Sequence, residues 1–341
     1  MSLPTSQRWA EYARKGADLV LRSIGEAPEQ RSARGLGAPT GSRDGPRVLF
    51  ITPRDWAAHV QYDAVLARAL TARGAEVEFL TCGGGLEICD RANTYEAPPM
   101  PCSSCARYVE NSLDAHGFVA RRLRDRYPAD HGWPELDERS RDELGEVCVD
   151  DLPLGQIVDI PVKWFLCAGD LADDPLGGLT TRAFLRSARR IAVAVEAALD
   201  AWTPDTVVML NGLFLFEAVT WAVCKRRGID VVTYERAFRQ ETLVFSRELP
   251  AGFYDFGDVA WAANDRELSS DESTELDDYL TARRRGDAFD QHWRNREWTV
   301  EERAVGSRLA VAFTNITWDT AVLDRDCAFA GIRDWIDCLV R

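Results

Sequence analysis

The sequence predicts an α/β protein with a Rossmann-like, doubly wound parallel sheet. Short apolar runs rich in strand-forming residues alternate with longer stretches whose apolar residues recur at helical spacing. This alternation occurs twice, so we expect two β-α-β units, each with the right-handed crossover that joins parallel strands. The 341 residues correspond to about two domains at roughly 150 residues per domain.

The first β-α-β unit follows a leader. Residues 1–46 are expected to be flexible, because their second half is rich in Gly, Pro, Ser and Arg. The apolar run RVLFIT predicts a strand over 47–52. Helical spacing predicts a helix over 55–73 that ends at Gly74. The run EVEFLT predicts a second strand over 76–81.

A proline-rich segment separates the two units. Residues 82–175 combine short helical stretches with frequent prolines, and we expect an irregular insertion that carries several cysteines. The second unit then begins with a helix predicted at about 180–202. A strand at 206–210, a helix at 214–227 and a strand at 229–234 complete it.

The C-terminal part of the sequence predicts the start of another domain. The first domain is expected to span 47–290, followed by a linker at 291–306. Residues 307–341 are expected to be the incomplete start of a second Rossmann-like domain, with a strand over 308–315 and a helix over 327–340. One strand and one helix cannot bury a core by themselves.

Charge and apolar pattern exclude some partner classes. The chain has 41 Lys and Arg against 55 Asp and Glu, a formal charge of -14 that disfavours nucleic acid as a partner. The apolar segment 206–224 has a predicted turn at Asn211 and a carboxylate at Glu217, so we interpret it as a buried strand and helix. The N-terminal residues carry several charges and no uninterrupted apolar stretch, so we do not expect a secretory signal. We therefore expect a cytoplasmic protein that is not integral to the membrane, with peripheral association left open.

Four cysteines form the strongest local pattern. They are Cys82, Cys89, Cys102 and Cys105, separated by six, twelve and two residues. The segment PCSSC places two thiolates in one tight turn, and the earlier pair can complete a tetrahedron. We expect a zinc ion or an iron–sulfur cluster that pins the insertion. The alternative is four unrelated cysteines, since the first pair lacks a zinc-ribbon spacing.

Chemically active side chains also follow the first strand. Arg54, Asp55 and His59 come directly after its carboxyl end, where open parallel sheets bind ligands. His59 or Asp55 has the chemistry of a general base for an attacking hydroxyl. The alternative is that Asp55 caps the following helix and His59 lies on its exposed face.

Two later strands end in a similar way. Asn211 follows one of them, and Glu235 and Arg236 follow the next. Asn and Glu can hold sugar hydroxyls through paired donors and acceptors, and Arg236 can bind an anionic group. The alternative is a structural one, with Asn211 forming a turn and Glu235 pairing with Arg236.

A dinucleotide-binding fingerprint is not predicted. Three glycines at 83–85 follow the second strand, but Ile88 stands where the third glycine of the G-x-G-x-x-G motif belongs.

Taken together, these segments resemble bacterial capsule polysaccharide biosynthesis proteins of the two-domain, GT-B glycosyltransferase type. The resemblance lies in VLFITPRDWAAHVQYDAVLARALTARGAEVEFLTCGGGLEIC with PCSSC, in VVMLNGLFLFEAVTWAVCKRRGIDVVTYERA, and in LAVAFTNITWDTAV with DWI. It covers most of residues 47–336. The order and spacing of the motifs carry the resemblance.

The resemblance implies roles for individual residues. In such enzymes the N-terminal domain offers the acceptor, and the C-terminal domain holds a nucleotide-sugar donor. The acceptor cleft would be lined by Arg54, Asp55, His59, Asn211 and Glu235. The donor-side domain would open with Asn315, Trp318 and Asp319. The sequence ends at Arg341 and lacks loops that would hold a diphosphate, so we expect a truncated product, a split gene or an acceptor-binding remnant.

Three functions are therefore expected, in this order. The first is a glycosyltransferase-like protein in which His59 or Asp55 deprotonates a sugar or glycan acceptor. The second is a non-catalytic binding or assembly module that joins a partner chain or a second copy through C-terminal apolar residues. These residues are Val311, Phe313, Trp318, Phe329 and Trp335. The third is a metal protein with a redox role at the four cysteines.

Overall fold

A computed structural model shows six strands in one sheet, in the order β3-β2-β1-β4-β5-β6. The structure describes residues 26–42, 44–93, 101–128, 132–171, 174–237, 242–255, 257–264, 266–285, 316–319, 323 and 329–340. The strands are β1 (Arg47–Ile51), β2 (Glu76–Thr81), β3 (Ala120–Arg122), β4 (Thr206–Leu210), β5 (Asp230–Arg236) and β6 (Leu243–Ser246).

The sheet is mostly parallel. Strands β1 to β5 pair in parallel, and only β6 pairs antiparallel, with β5. The chain moves outward from β1 to β3 and then returns to add β4 on the other side of β1. This reversal between β1 and β4 is the topological switch point of doubly wound sheets. The predicted α/β class is confirmed, and the sheet is compatible with a Rossmann-like fold.

The described residues form eleven α-helices, numbered here in chain order. They are α1 (Pro28–Arg34), α2 (Ala57–Ala72), α3 (Cys102–Ala115), α4 (Arg141–Gly145), α5 (Leu154–Ile157), α6 (Asp159–Leu166), α7 (Gly177–Ala201), α8 (Leu215–Arg226), α9 (Gly257–Asn264), α10 (Ser270–Arg285) and α11 (Ile332–Val340). Short 3₁₀ helices occupy Leu123–Arg126, Pro134–Leu136 and Ala251–Phe253.

Helices cover both faces of the sheet. Alternate residues of β1 point to opposite faces, because side chains alternate along a strand. Leu49 and Ile51 pack in the core formed with α7 and α8. Val48 and Phe50 pack in the core formed with α2 and α3. Burial on both faces explains why β1 and β4 are continuously apolar at their centres.

Part of the segment predicted as a flexible leader is a helix docked on the fold. Gln30 and Ala33 of α1 are buried. The side-chain amide of Gln30 donates to Oγ of Ser112 in α3 at 2.9 Å. Residues 1–25 lie outside the described residues.

The segment 82–175 is also more regular than predicted. It contributes α3 and strand β3, which extends the sheet beyond β2 in parallel. The sequence of β3 is Ala-Arg-Arg, with two exposed side chains, so no apolar pattern marks it as a strand. The insertion therefore includes a third β-α-β crossover.

The C-terminal expectations are described in part. The strand predicted at 308–315 and the linker at 291–306 lie outside the described residues. The helix predicted at 327–340 is present over its last nine residues as α11. Among the residues that the structure describes, no helix is long and apolar enough to cross a membrane.

Candidate functional site

Arg54 lies just after β1, at the switch point, and is only 5% exposed. Its Nη1 donates to Oδ1 of Asp90 at 3.0 Å, and its Nη2 donates to the carboxylate of Glu217. The guanidinium also lies 4.4 Å from the ring centre of Trp56 and 4.9 Å from that of Phe214. Arg54 was expected to contact a substrate, but its charged group is bound inside the protein instead.

The buried ion network shifts the pKa of its members. Burial disfavours the charged form of Arg54, but the charges of Glu217 and Asp90 outweigh burial and raise the pKa of Arg54. Burial also raises the pKa of Glu217, and the charge of Arg54 only partly opposes this shift. The network therefore depends on the positive charge of Arg54.

Asp55 is likewise engaged by another side chain. Both of its carboxylate oxygens accept hydrogen bonds from Arg91, and Nη2 of Arg91 lies 3.2 Å from Oδ2. Helix α2 begins after Trp56 without a side-chain cap, so Asp55 does not cap it. Because Arg91 donates to both of its carboxylate oxygens, Asp55 is a poor candidate for the expected role of a general base.

His59 lies in the first turn of α2 among aromatic rings. The ring centres of Tyr62, Trp56 and Tyr234 lie 5.9, 6.1 and 6.3 Å from that of His59. Burial, together with the nearby charges of Arg54 and Arg236, lowers the pKa of His59 to about 4. Its Nδ1 is buried without a hydrogen-bond partner among the described residues. At neutral pH the ring is uncharged, and it is a weak proton acceptor.

Asn211 and Glu235 form a direct pair across β4 and β5. Nδ2 of Asn211 donates to Oε2 of Glu235 at 3.0 Å, while its Oδ1 accepts from the backbone N–H of Leu213 at 2.9 Å. The backbone N–H of Arg236 donates to Oε1 of Glu235 at 2.8 Å. Burial raises the pKa of Glu235, and the nearby charge of Asp319 adds to this shift. Glu235 therefore holds its proton at higher pH than an exposed glutamate does.

A glycine lets the chain turn closely beside this pair. Gly252 lies so near that a Cβ atom there would be 3.0 Å from Cβ of Asn211 and 2.6 Å from Cδ1 of Leu213. The adjoining Tyr254 donates its hydroxyl hydrogen bond to the carbonyl of Arg236 at 2.8 Å. Sequence reasoning missed Tyr254, because its loop carries no motif and comes nearly twenty residues after β5 ends.

The structure thus brings together four of the expected site residues at the carboxyl edge of the sheet. They are His59, Asn211, Glu235 and Arg236. Asp319 joins them from the C-terminal part of the chain, where Trp318 packs against Trp164 at 5.4 Å between ring centres. This cluster is called the polar rim below.

The four cysteines line one cavity near the same edge. Cys82 follows β2, Cys89 lies in the next loop, and Cys102 and Cys105 occupy the first turn of α3. Burial raises the pKa of Cys105 to about 12 and also raises that of Cys82 and Cys89. Within the described part of the chain, no three His, Cys, Asp or Glu side chains are arranged to hold a metal ion.

Fold and site define an α/β protein with a mostly parallel sheet, a polar rim and a four-thiol cavity at its carboxyl edge. No protein-family model matches the chain, and neither a curated protein nor a solved structure matches it significantly.

Proposed function

We propose that the chain contains the acceptor-side domain of a cytoplasmic GT-B-type glycosyltransferase that acts in bacterial surface polysaccharide biosynthesis. The polar rim is the observation that carries this proposal. Asn211 is only 2% exposed, and its amide donates to Glu235 and so holds that carboxylate at the carboxyl edge of the sheet, where open α/β sheets bind ligands. A carboxylate held in this way suits a sugar hydroxyl.

Glu235 is the best candidate for the proton acceptor. Asp55 is held by Arg91, and a His59 with a pKa of about 4 has little affinity for a proton at neutral pH. The pKa of Glu235 is raised by burial, and Asn211 fixes one of its oxygens. A raised carboxylate pKa brings a general base closer to working pH. Nδ1 of His59, which has no partner among the described residues, would bind an acceptor hydroxyl.

The proposed transfer moves one proton and one glycosyl group. The acceptor hydroxyl gives its proton to Glu235, and its oxygen forms a bond to the anomeric carbon of a nucleotide-sugar donor. The bond from that carbon to the diphosphate oxygen breaks, and the diphosphate leaves with the electron pair. Groups that stabilise the leaving diphosphate would belong to the donor-side domain.

Acceptor binding can be tested without the donor. The labelled full chain is applied to an array of bacterial capsular and lipopolysaccharide oligosaccharides, and affinities are then measured by calorimetry. We expect binding of at least one oligosaccharide and a loss of about tenfold to a hundredfold in Glu235→Ala, the range for one hydrogen bond to a charged group. The control is Glu248→Ala, which removes an exposed glutamate after β6. No binding to any sugar, or equal losses in both variants, would contradict the proposal.

The role of Glu235 as a base needs a separate readout. In a transfer assay with nucleotide-sugar donors, Glu235→Gln should keep acceptor affinity and lose turnover, because the amide keeps its shape but cannot take the proton. His59→Gln should lower acceptor affinity more than turnover. Turnover in Glu235→Gln equal to wild type would reject the assignment.

A non-catalytic assembly module is the second candidate, favoured by α11. Three apolar side chains of this helix are exposed, namely Ile336, Leu339 and Val340. Unburied apolar side chains on one helix suit contact with a partner chain or a second copy. Light scattering on the full chain distinguishes the two, because a monomer at high concentration would argue against self-association.

A further inference from the structure

A cavity of about 280 Å³, called the arginine cavity below, lies beside the first turn of α3. Its charged lining consists of three arginines, Arg107, Arg122 and Arg124, and one carboxylate, Glu110. The lining therefore carries an excess of positive charge, although the whole chain has a formal charge of -14. Pockets for small molecules begin at roughly 300 Å³, so this volume suits a small anionic group.

The glycine-rich loop after β2 positions two of these arginines. A Cβ atom at Gly83 would lie 3.0 Å from Cβ of Arg122, and one at Gly85 would lie 3.5 Å from Cγ of Arg124. The backbone N–H of Arg124 also donates to the carbonyl of Cys82 at 3.1 Å. Because the loop packs against both side-chain stems, it restricts where the two guanidinium groups can lie.

The two guanidinium groups differ in what they contact. Nε and Nη2 of Arg122 donate to the two carboxylate oxygens of Glu110, both at 2.6 Å. This pair orients Arg122 and balances one positive charge. The side chain of Arg124 is exposed and has no hydrogen bond or ion pair with another described residue. Arg124 therefore offers the planar set of N–H donors that matches a phosphate.

The N-terminus of α3 adds backbone donors to the same cavity. The helix has 14 residues, and Cys102 and Ser103 of its first turn line the cavity. The first N–H groups of a helix have no acceptor within the helix. The N-cap residue is Pro101, whose side chain cannot accept a hydrogen bond from them. Such N–H groups stabilise an anion, as the helix dipole also does.

The location agrees with this chemistry. Helix α3 lies between β2 and β3 in the chain, so its N-terminus faces the carboxyl edge of these parallel strands. Open sheets bind ligands at this edge. The polar rim lies at the ends of β4 and β5, and β1 stands between those strands and β2 in the sheet. The arginine cavity and the polar rim are therefore different sites.

We propose that the arginine cavity binds a phosphate group. Arg124 and the first N–H groups of α3 bind the phosphate oxygens, and Arg122, oriented by Glu110, adds positive charge. The phosphate belongs either to a small phosphorylated molecule or to the headgroup of a phosphorylated lipid, since both present the same group. This assignment does not depend on the proposed glycosyl transfer.

The first test is calorimetric titration of the full chain with inorganic phosphate and with glycerol 3-phosphate at constant ionic strength. We expect saturable binding. Arg124→Gln should weaken it about tenfold to a hundredfold, because a charged donor is lost. The matched control is Arg284→Gln, which changes an exposed arginine of α10 that does not line the cavity. This control should bind both probes as wild type does.

A vesicle flotation assay distinguishes the two sources of the phosphate. Vesicles of phosphatidylcholine are compared with vesicles that also contain phosphatidic acid. Flotation of wild type with phosphatidic acid alone, lost in Arg124→Gln and kept in Arg284→Gln, assigns the lipid headgroup. Binding of glycerol 3-phosphate without flotation assigns a small phosphorylated molecule.

Ser103→Asp is a second variant, chosen because it should stay folded. A carboxylate in the first turn of a helix favours the folded chain, whereas in the arginine cavity it would repel phosphate. We expect a urea midpoint at or above that of wild type and no phosphate binding.

Three outcomes would overturn the phosphate site. The first is that folded wild type binds none of the phosphate probes. The second is equal affinity of Arg124→Gln and Arg284→Gln for every probe that binds. The third is unchanged phosphate binding in Ser103→Asp.

Discussion

The hydroxyl of Tyr234 donates a hydrogen bond to Oδ1 of Asp63 at 2.6 Å. Tyr234 lies in β5 and Asp63 in α2, and the two side chains are 0% and 2% exposed. Thr52, just after β1, donates to the other oxygen of Asp63 at 2.6 Å. Asp63 thus joins a helix to two strands beneath the polar rim. Burial raises the pKa of Asp63 to about 7, because the effect of burial is larger than the opposing effect of the two hydrogen bonds.

This pKa makes Asp63 a pH-dependent element of stability. In the unfolded chain Asp63 loses its proton above the ordinary pKa of 3.8. In the folded chain Asp63 keeps this proton up to a higher pH. The contribution of Asp63 to the unfolding free energy is therefore fully present below pH 4 and is lost as pH rises to about 7. About three pKa units correspond to at most about 4 kcal/mol. Asp63→Asn should remove this fall, measured by urea unfolding between pH 4 and pH 8.

The comparison needs an aspartate outside the core. Asp151→Asn changes an exposed aspartate at positive φ, a conformation that Asn also tolerates. It should keep the wild-type pH profile. If Asp63→Asn and wild type give parallel profiles, Asp63 is ionised in the folded protein at acidic pH and the prediction fails.

His59 contributes a slope of the opposite sign. Its pKa is lowered from 6.5 to about 4, so the unfolded chain binds a proton that the folded chain rejects. Its stabilising contribution is present above pH 6.5 and is lost as pH falls to about 4, by about 3 kcal/mol. His59→Gln should therefore be less sensitive to acid than wild type. Acid unfolding followed by circular dichroism measures this, and an unchanged acid midpoint would count against a buried neutral ring.

The sequence revealed the strands whose residues are buried and missed those whose residues are not. β1 and β4 are apolar runs, and β2 and β5 carry apolar residues at their buried positions, because helices cover both faces of the sheet. β3 is a three-residue edge strand with two exposed arginines, and its pairing with β2 depends on tertiary contacts that no local pattern records.

The same contrast holds at the site. The contact of Asn211 with Glu235 could be anticipated, because neighbouring parallel strands end at one edge. The burial of Arg54 could not. Its partners Asp90 and Glu217 lie 36 and 163 residues away in the chain, and nothing in the sequence indicates which carboxylates will meet an arginine.

The network of Arg54 should be sensitive to removal of its charge. Arg54→Met leaves Asp90 and Glu217 buried without a counter-charge, and breaking a buried pair in this way costs about 3–5 kcal/mol. Adding Glu217→Gln should recover part of that loss, because one of the two carboxylates is then neutral. Urea unfolding at neutral pH measures both effects.

A surface arginine provides the comparison. Arg186 pairs with Glu87 at 2.7 Å, but the glutamate side chain is 46% exposed. Arg186→Met should cost no more than about 1 kcal/mol. An equal cost for the two arginine variants would contradict the prediction. No recovery on adding Glu217→Gln would mean that the cost at Arg54 arises from lost packing on Trp56 and Phe214.

Gly84 should be the glycine on which the four-thiol cavity depends. Its φ is +85°, and a Cβ atom there would press on Cys102, whereas Gly228 has a φ of +69° and nothing within 4 Å of its added Cβ. Both Ala variants carry the cost of a left-handed residue, about 1–2 kcal/mol. Only Gly84→Ala must also shift Cys102, in the first turn of α3, by a few tenths of an ångström. We therefore expect Gly84→Ala to unfold at lower urea concentration than Gly228→Ala and to make Cys102 react faster with iodoacetamide. Equal reactivity of Cys102 in the two variants would mean that the turn of α3 does not rest on Gly84.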